Sequence, residues 1–139
     1  MEPRVSKYYF LDTNVFIYFF QEHPKFGLKA KEIFSLISSG EISAVSSVLT
    51  LTELLSLSES EETVIKLHER FLETPNLYLQ SVDSNIAVKA SLLRRKYKFK
   101  IPDALQLASA IQVRATHFIT NDKALKKCEE IRVVLLDEL

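Results

Sequence analysis

The sequence predicts an α/β fold: a three-layer α/β/α arrangement with a five-stranded parallel sheet, Rossmann-like in its alternation of strand and helix. Two observations carry this. Short apolar runs alternate with segments of helical period along the chain, the pattern of strand–helix–strand units. Each strand run is continuously apolar rather than alternating, as expected where helices cover both faces of a sheet.

The first strand is KYYFL (7–11). It ends at Asp12, Thr13 and Asn14, which interrupt an otherwise apolar stretch before VFIYFF (15–20). Residues 24–40 have helical spacing and stop at Gly40. EISAVS (41–46) is a short strand, and SVLTLTELLSLS (47–58) is a helix that Ser46 or Ser47 can cap. A helix over 61–75 carries Val64, Ile65, Leu67, Phe71 and Leu72 at helical spacing. LYLQSV (77–82) is a strand and 84–97 a helix. A helix over 101–115 opens at Pro102, a residue suited to the first turn. Two further strands, HFIT (117–120) and RVVLL (132–136), flank a short helix over 122–130.

At 139 residues the chain fits a single domain, taken as 1–139, and its 47% apolar content is enough for a full core. With 18 basic and 18 acidic residues the net charge is +0, which argues against binding through bulk charge but leaves local patches open. A single cysteine, Cys128, can form neither an internal disulfide nor a cysteine zinc site, which suits a reducing, cytoplasmic compartment. Glu2 and the early break at Asp12 argue against a secretory leader, and no apolar run is long enough to cross a membrane.

Carboxylates end or interrupt the apolar segments. Asp12 closes the first strand, and Asp122 follows the strand HFIT in a similar cluster with Thr120 and Asn121. Asp103 opens a helix whose body, ALQLASAIQV, carries no charge, and Glu53 sits within a mostly apolar helix. Taken singly, each has an ordinary explanation. Asp12, Asn14 and Asp122 suit helix caps, Asp103 suits the positive end of a helix, and Glu53 can face solvent. Asp83, before Ser84 and Asn85, reads as a cap and is a doubtful member of the set.

Taken together, they fall on the carboxyl edge of the predicted sheet, where such folds place their sites. Two carboxylates about 4 Å apart repel by roughly 4 kcal/mol at an effective dielectric of about 20. A converging set therefore keeps protons or binds a cation. Donors that are all oxygen suit a hard ion, Mg²⁺ or Mn²⁺. His23, His68 and His117 show no paired ligand spacing.

FLDTNVFIYF, SSVLTLTELLSL, IPDALQLASAI and THFITND resemble, in order and spacing, the PIN-domain family and its small VapC-type toxin ribonucleases. The resemblance runs from about residue 7 to residue 136. It implies Mg²⁺- or Mn²⁺-dependent hydrolysis of RNA phosphodiester bonds, with Asp12, Glu53, Asp103 and Asp122 as the acidic, metal-holding and catalytic set. Thr13, Asn14, Thr120 and Asn121 would orient those carboxylates or waters. It also implies the toxin role of a toxin–antitoxin pair, an antitoxin protein as partner, and a homodimer. Where the family often has glycine before the last catalytic strand, this chain reads VRATHF.

LLRRKYKFK places Arg94, Arg95, Lys96, Lys98 and Lys100 before Asp103, with Tyr97 and Phe99 interleaved, a mixture suited to single-stranded RNA. The same stretch also reads as a solvated helix end with its aromatics packed inward. Lys123, Lys126 and Lys127 form a weaker basic cluster. A receiver-type phosphoacceptor would need a lysine at the last strand's end, and RVVLLDEL has none. A haloacid-type phosphatase would need D-x-D after the first strand, where Asn14 stands in place of the second acid. The alternative of a different class is a non-catalytic RNA-binding or scaffold module on the same fold.

Overall fold

The structure, a computed structural model, describes residues 7–139. Glu2, on which the argument against a leader partly rests, lies outside them. Strand β1 (Tyr8–Leu11) leads directly into helix α1 (Thr13–Phe20), and α2 (Gly27–Ser38) follows. Next come β2 (Ser43–Ser47), α3 (Val48–Leu55), α4 (Glu61–Leu72) and β3 (Leu77–Gln80). The rest comprises α5 (Ser84–Tyr97), α6 (Ile101–Gln112), β4 (His117–Thr120), a 3-10 turn at Lys123–Lys127, β5 (Val133–Leu135) and a final 3-10 turn at Leu136–Glu138. All pairings are parallel and the strand order is β3-β2-β1-β4-β5.

Successive residues of a strand point to opposite faces, and the two cores follow that rule. Tyr9, Leu11, Ala44, Ile119 and Val134 face one side, with Val15 and Phe16 of α1 and Ala30, Ile33, Phe34 and Ile37 of α2. Leu54 of α3 and Phe71 of α4 complete that core. Phe10, Val45, Phe118 and Val133 face the other side, against Ile86, Ala90 and Leu93 of α5 and Ala104, Leu107 and Ala108 of α6. Phe16 is the hub of the first core, its ring 5.4 Å from Phe34 and 5.1 Å from Phe71. In the second, Phe10 and Phe118 stack across β1 and β4 at 5.2 Å.

Caps set several boundaries. Gly40, at φ +82°, ends the α2 segment as expected. Ser47 is both the last residue of β2 and the cap of α3, its hydroxyl accepting from the Leu49 amide at 3.1 Å. Asp83 caps α5 by accepting from the Ile86 amide at 3.0 Å, which accounts for that carboxylate without a site.

Three expectations need correction. The helix expected over 24–40 starts only at Gly27, because His23 Nδ1 accepts from the amides of Lys25 and Phe26 and holds a turn there. The segment 122–130 forms only a 3-10 turn; its buried residues Leu125, Cys128 and Ile131 recur every third position, the 3-10 period. β3 is an edge strand with Tyr78 56% exposed, so the rule of two covered faces fails there. Among the described residues, no helix is long and apolar enough to cross a membrane.

Candidate active site

The chain runs outward from β1 through β2 to β3, then returns to add β4 on the other side of β1. The carboxyl ends of β1 and β4 therefore form a topological switch point, where parallel α/β sheets open a crevice. Leu11 is paired with Ile119, and the Asp12 amide donates to the Ile119 carbonyl at 2.9 Å. That register sets Asp12 beside Thr120.

Asp12 Oδ1 accepts from the Thr13 amide and Oδ2 from the Thr120 hydroxyl, both at 2.8 Å. The first contact makes Asp12 the cap of α1, so the capping explanation is correct but incomplete. The residue is only 8% exposed. Burial raises its pKa to about 6 against the lowering effect of those two hydrogen bonds, with the charges of Asp103 and Glu53 adding to the rise. Glu53, half-buried on α3, has a raised pKa for the same leading reason, offset by its bond from Thr13 and reinforced by Asp103. Asp103, in the first turn of α6, is raised by burial and by Asp122, while Lys100 lowers it. The chain of couplings links all four predicted acids: Asp12 to Glu53 and Asp103, and Asp103 to Asp122. Asp122 is the exposed member and caps the 3-10 turn through the Ala124 amide at 3.0 Å.

The Thr120 hydroxyl spends its hydrogen on Asp12 and accepts from the Asn14 amide group at 3.3 Å and the Asp122 amide at 3.1 Å. A hydroxyl has one hydrogen and two lone pairs, so Thr120 is saturated. Asn14 Oδ1 is buried with no partner among the described residues. Flipping the amide does not help, since Thr120 has no hydrogen left to give. Asn121, by contrast, reaches no carboxylate; its amide donates to the Tyr18 hydroxyl at 3.1 Å.

A second network lies beneath Glu53. The Thr13 hydroxyl lies 3.2 Å from both Glu53 Oε1 and Thr50 Oγ1. Gln106 of α6 donates to Thr50 Oγ1 at 2.7 Å and to Thr13 Oγ1 at 3.3 Å, and accepts from the Ser47 hydroxyl at 2.5 Å. Ser47, Thr50, Thr13 and Gln106 are all buried. Sequence reasoning singled out Thr13 but saw Ser47 only as a cap and did not single out Gln106 or Thr50. The available signal was an amide in a helix body that is otherwise apolar or small, three residues after Asp103.

The donors fit a hard, hydrated cation: carboxylate and amide oxygens, three acids raised by burial and further by neighbouring carboxylates, and an orphaned carbonyl oxygen beside them. Among the described residues, no three Asp, Glu, His or Cys side chains stand close enough to ligate one ion directly. Mg²⁺ is commonly held by one or two carboxylates with several waters, which such spacing accommodates.

The basic strip is divided in its uses. Lys100 stands within electrostatic reach of Asp103. Lys96 pairs with Glu130 at 3.2 Å, and Tyr97 hydrogen-bonds the same carboxylate. Arg94 Nε donates to the Phe99 carbonyl at 3.0 Å, closing the turn between α5 and α6. Phe99 is buried in the second core with Tyr97 packed against that core, so the buried Phe99 ring offers no stacking face to RNA. Arg95, Lys98 and Lys100 are exposed.

The PIN domain sequence profile matches residues 9–131. Among solved structures, VapBC2 from Rickettsia felis bound to a promoter DNA fragment aligns with a TM-score of 0.75 at 20% identity, over 92% of this chain and 98% of that one. DNA-bound VapBC from Salmonella typhimurium gives 0.74 at 22%, over 94% and 98%. VapC20 from Mycobacterium tuberculosis, described as a sarcin-ricin loop cleaving toxin, gives 0.67 at 17%, over 89% and 98%. No curated protein sequence matches significantly. With the profile spanning four of the five strands and both helical layers, the chain belongs to the PIN domain family.

Proposed function

We infer that the protein is a metal-dependent ribonuclease that hydrolyses RNA phosphodiester bonds, acting as the toxin of a toxin–antitoxin pair. The observation that carries this reading is the gathering of carboxylates at the sheet's switch point: Thr13 bonds both Asp12 and Glu53, Thr120 bonds Asp12 and the Asp122 amide, and Asp103 lies within electrostatic reach of Asp12, Glu53 and Asp122. The cap of α1 alone would be served equally by an uncharged asparagine, so a buried carboxyl whose pKa is pushed to about 6 favours a site over a scaffold. The toxin role is supported by the shared fold with proteins solved as toxin–antitoxin complexes.

Asp12, Asp103, Asp122 and Glu53 would hold Mg²⁺ or Mn²⁺, one or two of them directly and the others through bound waters. When bound, the ion supplies an acidified water and offsets charge on the phosphate oxygens. The chain does the rest. Thr13 and Thr120 fix both oxygens of Asp12. Asn14 Oδ1 offers an acceptor to a water in the crevice. Lys100, with exposed Arg95 and Lys98, draws the RNA backbone toward an otherwise acidic edge.

The test is cleavage of labelled RNA by the purified protein with Mg²⁺ or Mn²⁺, with excess EDTA, and by Asp12→Asn. Cleavage should appear with the ion, vanish in EDTA, and fall at least about 100-fold in the variant, beyond what loss of a supporting group costs. Undiminished cleavage in EDTA or by Asp12→Asn would reject the reading. So would a folded wild type that gains no activity with Mn²⁺. Copurification with a small adjacent-gene protein that suppresses cleavage would establish the antitoxin, and sedimentation the homodimer.

A further inference from the structure

We propose that Gln106 is a positioning residue that aims Glu53 through the Thr13 hydroxyl. The proposal rests on the ribonuclease reading, because it gives Glu53 its role. The donors around Thr13 can be placed in turn. Ser47 Oγ accepts from the Leu49 amide as the cap of α3, so its own hydrogen goes to Gln106 Oε1. That fixes the amide's orientation and turns both N–H bonds of Gln106 toward Thr50 Oγ1 and Thr13 Oγ1. With Thr50 already receiving Gln106, the Thr13 hydrogen has two acceptors at 3.2 Å, the Thr50 hydroxyl and Glu53 Oε1. A carboxylate is the stronger acceptor, so Glu53 receives it.

Four elements meet in this chain: the β2–α3 junction at Ser47, α3 at Thr50 and Glu53, α6 at Gln106 and α1 at Thr13. Thr13 is the shared link, since its backbone amide holds Asp12 while its hydroxyl holds Glu53. One threonine therefore sets two acids of the site relative to each other. All of its supports are buried, where an unsatisfied polar group is costly. Removing the Gln106 amide leaves both threonine oxygens without their donor. The Thr13 hydroxyl is then held by one neighbour fewer, so its hydrogen no longer has a fixed direction toward Glu53.

The experiment is a double-mutant cycle on Mn²⁺ affinity by titration calorimetry, using the full chain. Gln106→Met keeps the side chain's length and loses the amide. It should retain the wild-type circular dichroism spectrum and weaken Mn²⁺ binding about 10-fold or more, the scale for residues that orient ligands. In a Glu53→Gln background the same substitution should change affinity less than about 2-fold, because the group it acts through is gone. Thr50→Val removes the competing acceptor at constant shape and leaves Gln106 its bond to Thr13, so it should not weaken Mn²⁺ binding; it serves if Gln106→Met fails to fold, and a loss of about 10-fold in it would overturn the proposal. Equal losses in both backgrounds, or no loss in the Glu53 background, overturn the proposal while leaving the ribonuclease reading intact. A wild type that binds no Mn²⁺ sinks both.

Discussion

The ends of β1 and β4 are written with nearly the same residues and behave differently. β1 runs into Asp12-Thr13-Asn14, and β4 ends at Thr120 before Asn121 and Asp122. Because Leu11 pairs with Ile119, the two tails are offset in chemistry though aligned in space. The carboxylate of one tail meets the hydroxyl of the other at the first position beyond the paired residues, Asp12 against Thr120. The second carboxylate, Asp122, comes two residues later and is exposed. Position relative to the strand tip, not residue type, separates an acid that costs stability when ionised from one that does not have to be buried at all.

The largest expected effect is on stability against pH. The folded-state pKa of Asp12, about 6, lies above its ordinary value of 3.8. Its contribution to stability is therefore fully present below pH ~4 and is lost as pH rises through ~6, amounting to on the order of 3 kcal/mol. Glu53 and Asp103, also raised, act in the same sense. In EDTA, the melting temperature should fall between pH 4 and pH 7. Mg²⁺ should restore it at pH 7 more than at pH 5, since a ligand of the folded state stabilises by mass action. The difference curve between wild type and Asp12→Asn isolates this carboxyl from His117, whose lowered pKa acts in the opposite sense. A difference curve flat from pH 4 to pH 7 would contradict the burial of Asp12.

Thr120→Val breaks the comparison from the other strand. The substitution keeps shape but strips the hydroxyl that gives to Asp12 and accepts from Asn14 and the Asp122 amide. A cost of about 1–3 kcal/mol in urea unfolding is expected from groups left unpaired. The loss should be smaller at pH 4, where Asp12 is protonated and can donate to another oxygen. Equal losses at both pH values would mean that Thr120 does not act through the carboxylate.

Much of the fold was legible because continuous apolar runs and helical period are local signals. Strand order and register are not local, and the site depends on them. Nothing in FLDTN alone says that its carboxylate meets Thr120 rather than Asn121; only the pairing of Leu11 with Ile119 does. Gln106 went unnoticed because an amide on a helix resembles a solvated residue until α6 is seen lying against the α3 entry. The basic strip misled in part for the same reason. Lys96 and Arg94 have partners at Glu130 and Phe99 that no sequence window reveals.

Asp122→Asn should have the smallest effect on stability and sharpens the comparison. Asparagine caps as well as aspartate, so the bond from the Ala124 amide survives. The residue is exposed, and surface changes of this kind stay within about 0.5 kcal/mol. Its urea midpoint at pH 7 should therefore match that of the wild type closely, whereas Asp12→Asn removes a buried carboxyl and should shift it. Cleavage of RNA with Mg²⁺ should nonetheless fall about 10-fold or more if the exposed carboxylate helps hold the ion. Activity lost with the midpoint unchanged would show that the outer acid serves the ion, while the buried one is coupled to folding as well. A midpoint shifted as far as in Asp12→Asn would place both acids in one buried unit and erase the distinction between the two strand ends.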